Sequence, residues 1–210
     1  RMPILRGHCT VPEDLIGVTW RDWYADAEAA LLDLSREVEK TVIVGLSAGG
    51  LVTLNLAIEH ADLLAGVVTV AAALRFADPL VALTPILTVL VKMWPPKVSP
   101  PKYADPELAK YDNNYPYFPI KAFASLLKYA GITERRLPQV KVPILVIHSH
   151  QDTTIQPISA EIIYNRVSSA EKRIAWFEKS SHEMMRDCER EAVFNLIEEF
   201  VLQKKGASTK

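Results

Sequence analysis

Three residues of this chain have the types, the order and the flanking sequence for nucleophilic chemistry at a carbonyl carbon. Ser47 sits in Gly45-Leu46-Ser47-Ala48-Gly49, with Gly50 behind it. Asp152 follows His148-Ser149-His150-Gln151, and His182 follows Glu178-Lys179-Ser180-Ser181. A serine hydroxyl is inert until a base takes its proton, and the base needs a carboxylate to orient it. A G-x-S-x-G between a strand and a helix is a nucleophile elbow, a sharp turn that lifts the hydroxyl above the edge of a sheet. Its partners then follow in the order Ser, Asp, His, as they do here. The pentapeptide alone is a weak signal, since glycine-rich turns often contain a serine. An Asp after a strand is usually a turn former, and a lone exposed His usually has no role. The three together carry the catalytic reading.

The elements that must position them are legible in the pattern. Thr41-Val42-Ile43-Val44 is a β-branched apolar run that predicts a buried strand, and Leu51 to Ile58 predicts a packed helix. Gly45 and Gly49 are expected to let neighbouring backbone come close. A second apolar run, Gly66 to Ala72, completes a right-handed βαβ unit of a parallel sheet. Pro143 to His148 and Lys172 to Phe177 predict two further strands, with a helix over Ile158 to Val167 between them. Asp152 and His182 therefore fall just past strand C-termini, where open α/β sheets bind their ligands. Upstream, Met2 to Leu5 reads as a short strand and Cys9 to Val18 as a loop. Thr19-Trp20-Arg21-Asp22 offers a capping box for a helix bearing Trp23, Ala27, Ala30, Leu31 and Leu34. At the other end, Asp187 is expected to cap a closing helix with Val193, Ile197, Phe200 and Val201 on one face.

The fold class is thus α/β, a mostly parallel sheet flanked by helices. Residues 76–140 break the rhythm. They hold most of the chain's 14 prolines, including Pro95-Pro96 and Pro100-Pro101. A long proline-rich insertion between sheet strands reads as a functional lid. The domain division expected is a core of 1–75 and 141–210 with a lid over 76–140. Within the lid, Leu80, Leu83, Ile86, Leu87, Leu90 and Trp94 suggest an acyl pocket.

Bulk properties exclude several classes. A chain of 210 residues, 49% hydrophobic and 23% charged, is large enough for one sizeable core. Its formal net charge of −1 lacks the basic excess of a nucleic-acid-binding surface. Cys9 and Cys188 have neither zinc nor disulfide spacing and read as packing residues in a reducing compartment. His148-x-His150-x-Asp152 has the alternation of a metal-binding strand, but no further His/Cys/Asp cluster supplies the other ligands. No metal and no cofactor are expected. No secretory signal is visible, and no apolar run reaches the roughly 18 residues of a membrane span. A cytoplasmic location is the expectation. The chain opens on Arg1 inside what reads as a strand, so an incomplete N-terminus is expected too.

The sequence resembles the α/β-hydrolase family, in particular its bacterial carboxylesterase and monoacylglycerol-lipase branch. The resemblance runs through Arg6-Gly7-His8, Pro12-Glu13-Asp14-Leu15, Trp20-Arg21-Asp22-Trp23, Gly45 to Gly50, Pro143 to Asp152 and Ser181-His182. It implies Ser47 as nucleophile, His182 as general base and then acid, Asp152 as its orienter, and the Ala48 N–H as one oxyanion donor. It implies a serine esterase or lipase acting through an acyl-enzyme on short-to-medium acyl esters or monoacylglycerol. Thioesters and feruloyl esters stay open. The departures are absences: the family's N-terminal strands and helix, its third strand, and the His-Gly loop whose backbone donates the second oxyanion hydrogen bond are not found in this sequence. Loss of one such donor costs about 10²- to 10³-fold in rate. A catalytically impaired fragment serving as a binding or oligomeric interaction protein is therefore the alternative. An uncovered edge on the elbow strand implies cover by Met2 to Leu5 or by a homodimer. The apolar lid implies contact with a lipid interface.

Overall fold

In the computed structural model, residues 1–94 and 102–207 are described. The strands are β1 (Thr41–Leu46), β2 (Leu64–Val70), β3 (Met93–Trp94), β4 (Phe118–Pro119), β5 (Ile144–Ser149) and β6 (Lys172–Phe177). The helices are α1 (Trp20–Leu34), α2 (Ala48–Glu59), α3 (Thr84–Leu90), α4 (Pro106–Ala109), α5 (Ile120–Arg136), α6 (Ile158–Arg166) and α7 (Arg190–Ala207). Four strands form a parallel sheet in the order β1-β2-β5-β6, and β3 and β4 pair antiparallel apart from it. The two central strands are apolar and buried almost throughout, as a parallel sheet covered on both faces requires.

Helices cover both faces. The first core cluster joins α2, with Leu51, Leu54 and Leu56, to Val67, Ile144 and Val146 of the sheet and to Tyr129, Ala130 and Leu137. A second, on the other face, packs Val193 and Phe200 of α7 against Val68, Val70, Leu145 and Ile147. Every residue of α2 from Gly50 to Ala57 is buried, Thr53 and Asn55 included, so this helix is enclosed on all sides rather than half-exposed. Helix α5 belongs to the same core, although it closes the 76–140 stretch. Its Thr133 accepts a hydrogen bond from buried Asn55 Nδ2 of α2 at 2.7 Å.

Capping chemistry sets α1 as expected. The Asp22 carboxylate accepts hydrogen bonds from the Thr19 N–H and Thr19 hydroxyl, both at 2.8 Å. Four expectations fail. Met2 to Leu5 is not a strand: Met2 and Ile4 are 92% and 69% exposed, and this segment has no strand partner among the described residues. Arg6, which follows it, binds α1 through Asp22 and Asp26, and Trp23 Nε1 donates to the Arg6 carbonyl at 3.1 Å. These contacts hold the start of the chain against α1 rather than at the sheet edge. It follows that Met2 to Leu5 does not cover β1, which pairs with β2 alone among the described residues. Cys9 and Cys188 are exposed, so neither is a packing residue. Of the residues expected to form an acyl pocket, Leu80, Leu83, Ile86 and Leu90 are 43–75% exposed to solvent, Leu87 is partly buried, and the side chain of Trp94 lies outside those described. Asp187 does not cap the closing helix, which starts three residues later at Arg190. Pro95-Pro96 and Pro100-Pro101 lie outside the described residues. Among those described, no helix is long and apolar enough to cross a membrane.

Candidate active site

The elbow is built by close backbone contact on two sides of Ser47. Its φ of 52° and ψ of −117° lie in a region that L-residues avoid, at a cost of about 1–3 kcal/mol. Three backbone hydrogen bonds hold it there. The Ser47 N–H donates to Val70 O at 2.9 Å, and its carbonyl accepts from Gly50 N–H at 2.9 Å and Ala73 N–H at 3.1 Å. The end of β2 thus grips the turn after β1. Gly45 is required by space: a Cβ there would lie 2.2 Å from Gly49 O and 2.3 Å from Thr53 Oγ1. Gly50 is required likewise, with Ala72 Cβ 2.6 Å from a built Cβ. Gly49 is not, because a Cβ there meets nothing within 4 Å. The close approach expected of Gly45 and Gly49 belongs to Gly45 and Gly50. Leu46 ends β1 and packs on the second core cluster.

Ser47 Oγ–H donates to His182 Nε2 at 3.0 Å, and His182 Nδ1–H donates to Asp152 Oδ2 at 2.8 Å. Asp152 and His182 are buried and Ser47 is partly so. The Asp152 carboxylate also accepts the N–H groups of Thr154 and Ile155, both at 2.8 Å. Burial pushes this carboxyl up, but hydrogen bonds from His148 and His182, the charge of His182 and the Ile155 N–H outweigh it. The carboxyl stays ionised well below the usual carboxylate range. Ala48 is the first residue of α2, so its N–H is among those a helix leaves without an intrahelical acceptor. A hydroxyl at the entrance of that helix, a base bonded to it, an orienting carboxylate and free N–H groups together suit acyl transfer.

His182 reaches Ser47 only because its loop folds back. Neighbouring strands lie about 4.8 Å apart, so β1 and β6 are roughly 14 Å apart across the sheet. The loop after β6 is fixed at several points. Ser149 Oγ–H donates to the Ser180 carbonyl. Glu189 accepts the N–H groups of Lys179 and Ser180 at 3.0 and 2.7 Å. Burial raises the Glu189 carboxyl, yet these backbone donors hold it below its ordinary value. Asp187, expected as a helix cap, is instead fully buried inside this loop. Its Oδ2 accepts the Ser181 N–H and the Ala104 N–H, both at 2.7 Å. Its Oδ1 accepts from Cys188 N–H at 2.8 Å and Asp105 N–H at 3.3 Å. One carboxylate thus joins the residue beside His182 to the 102–105 segment, where the Glu183 N–H also donates to Lys102 O at 3.0 Å. No local spacing signals this role, since two of the donors, Ala104 and Asp105, lie 83 and 82 positions away. Asp187→Ala would remove the shared acceptor of these N–H groups, of which that of Ser181 is buried, and is expected to cost about 1–3 kcal/mol. Urea denaturation measures that loss, and limited proteolysis should then cut near residues 102–105.

The histidines of the suspected metal motif separate. His148 is buried beside Asp152, while His150 stacks on Trp176 with ring centroids 4.4 Å apart and pairs with Glu178. His60, at the end of α2, pairs with Glu28 at 2.6 Å, and His8 packs edge-on to Trp23.

Comparison with known proteins agrees with this geometry. The chain is 29% identical to a thermostable monoacylglycerol lipase of Bacillus sp. (strain H-257), covering 98% of this chain and 80% of that protein. It is 26% identical to a carboxylesterase of Bacillus subtilis (strain 168), covering 95% and 79%. Among solved structures, one reported for the metagenome-derived lipolytic enzymes LipS and LipT superposes with a TM-score of 0.88 at 30% identity, covering 96% of this chain and 80% of that one. The Paleococcus ferrophilus monoacylglycerol lipase shares the fold, with a TM-score of 0.77 at 20% identity over 89% of this chain and 76% of that one. Residues 5–189, which take in Ser47, Asp152 and His182, match the family described as serine aminopeptidase, S33, and the chain belongs to that family of α/β hydrolases.

Proposed function

We propose that this protein is a serine carboxylic-ester hydrolase working through an acyl-enzyme, with Ser47 as nucleophile, His182 as base and acid, and Asp152 as orienter. The observation that carries this is the continuous line Ser47 Oγ–His182 Nε2 at 3.0 Å and His182 Nδ1–Asp152 Oδ2 at 2.8 Å, on a serine held at positive φ. As Ser47 Oγ attacks the ester carbonyl, its proton passes to His182 Nε2. The imidazolium is stabilised by Asp152. The carbonyl oxygen becomes an oxyanion beside the Ala48 N–H and the positive end of α2. His182 Nε2–H then protonates the leaving alkoxide, and the acyl group remains on Ser47. Water, deprotonated by His182, releases the acid and restores Ser47. Short-to-medium acyl esters or monoacylglycerol are the proposed substrates; the names of the monoacylglycerol lipase and carboxylesterase relatives support carboxylic esters as the class.

A fluorophosphonate probe should label the protein at one site, and Ser47→Ala should abolish both labelling and hydrolysis of p-nitrophenyl esters. With the nucleophile gone, the expected loss in kcat is on the order of 10⁶-fold. A chain-length series of those esters sizes the acyl site, and aminoacyl p-nitroanilides test the peptidase chemistry in the family's description. Absence of labelling in folded protein would overturn the enzymatic reading and favour a binding role. Cleavage of anilides in preference to esters would overturn the ester assignment.

A further inference from the structure

His148 has no part in the proton route above, yet it sits against it. Strand β5 ends at Ser149, and beyond it the chain turns. His150 leaves for the surface, where it meets Trp176 and Glu178. His148 stays inside, 1% exposed. Its Nε2 lies 3.2 Å from Asp152 Oδ2 and 3.3 Å from the Ile155 carbonyl oxygen. Both are acceptors, so Nε2 must carry a proton whatever the charge on the ring. The carboxylate oxygen it faces is the one that accepts from His182. The other oxygen is taken by the Thr154 and Ile155 N–H groups.

Filling the space beside Trp176 would need only an apolar side chain, which brings no buried polar group to satisfy. An imidazole N–H set between the carboxylate and the Ile155 carbonyl does more. It ties β5 to the 152–155 turn through the acid of the site. An oxygen that already accepts one N–H is also a weaker acceptor for a second. We propose that His148 is a positioning residue of the Ser47 site, whose Nε2–H fixes the Asp152 carboxylate and limits how strongly it holds a proton on His182. The inference rests on the esterase reading of that site. It agrees with Asp152 lying low despite burial, with His148 among the groups that hold it there. The titratable groups around the carboxylate are His148 from β5 and His182 from the loop after β6. His150 and Glu178 form a separate pair beyond the Trp176 ring, which lies 6.1 Å from His148.

Two variants and one measurement on the unaltered protein test it. His148→Leu removes the donor and keeps an apolar side chain, whereas His148→Gln supplies an amide N–H. With active sites counted by fluorophosphonate, His148→Leu is expected to lower kcat about tenfold with little change in KM. The acid limb of its kcat/KM profile should move up by about half a pH unit, because a less occupied carboxylate retains the His182 proton more strongly. His148→Gln should return the limb to its wild-type position. An unmoved limb in folded His148→Leu, or a limb equally displaced in His148→Gln, would overturn the proposal. Should His148→Leu fail to fold, long-range ¹H–¹⁵N correlation on the wild-type protein decides. A protonated Nε2 on His148 is required, and an unprotonated one overturns the idea. Wild-type protein that is not labelled at Ser47 would instead sink the esterase reading and leave the tautomer result standing.

Discussion

Asp152→Asn is expected to leave a folded protein whose kcat on a p-nitrophenyl ester falls by about 10⁴-fold. The hydrogen bonds around Asp152 say why so small a change should matter so much. The Thr154 and Ile155 N–H groups both donate to Oδ1, so an asparagine must place its carbonyl oxygen there. Its NH₂ then falls at the Oδ2 position, facing the Nδ1–H of His182 and the Nε2–H of His148. Donor would meet donor. His182 escapes by moving its proton to Nε2, and that nitrogen can no longer take the proton of Ser47. KM should change little, since the carboxylate is buried away from substrate. Retention of activity within tenfold of wild type would overturn this account.

The same substitution carries a pH signature. The Asp152 carboxyl is depressed in the folded state, so its contribution to stability is fully present above the unfolded carboxyl pKa of about 3.9. That contribution is lost as pH falls through the lower folded value. Asp152→Asn removes a titrating group. Its thermal stability should therefore decline less steeply than wild type below about pH 4. Melting curves from pH 3 to pH 7 measure the difference.

Gly45→Ala is expected to be the most damaging of the small substitutions outside the Ser–His–Asp line. A Cβ at 2.2 Å from Gly49 O and 2.5 Å from Gly49 C meets backbone, which no side-chain rotation can relieve. Either β1 or the start of α2 must shift, and Ser47 lies between them. The expected cost is about 3 kcal/mol or more, with loss of fluorophosphonate labelling in whatever protein stays folded. Gly49→Ala is the internal control. Its Cβ meets open space, and alanine favours the helix by up to about 1 kcal/mol. Equal damage from the two changes, in denaturation midpoint and in labelling, would contradict the elbow geometry described above.

Much of this protein was legible along the chain because the signals are local. The apolar runs of β1, β2, β5 and β6 are read by composition, and α1 by its Thr19–Asp22 cap. Ser47 is marked by its glycines, and Asp152 and His182 by their places just past strand ends. Gly45 and Gly49 look alike in the pentapeptide, yet only the packing of Gly49 O and Thr53 against Gly45 tells them apart. Leu80 and Ile86 read as pocket residues because hydrophobicity gives no direction, and they face solvent. Met2 to Leu5 has strand composition, but a strand needs a partner, and the chain here lies against α1 through Arg6 instead.

By itself the sequence determined the fold class and the order of the strands along the chain, and it singled out Ser47, His182 and Asp152, the residues proposed as nucleophile, base and acid. Each of these follows from residue type within a few positions. Only the tertiary structure decided what surrounds them. His182 must return about 14 Å across the sheet to reach Ser47, and the carboxylates of Asp187 and Glu189 that hold its loop act through backbone N–H groups, which no residue type advertises. His148 likewise became part of the site only when β5 ended and the next turn laid Asp152 against it. Hydrogen bonds between distant segments depend on position in space, and that is set by the packed core as a whole.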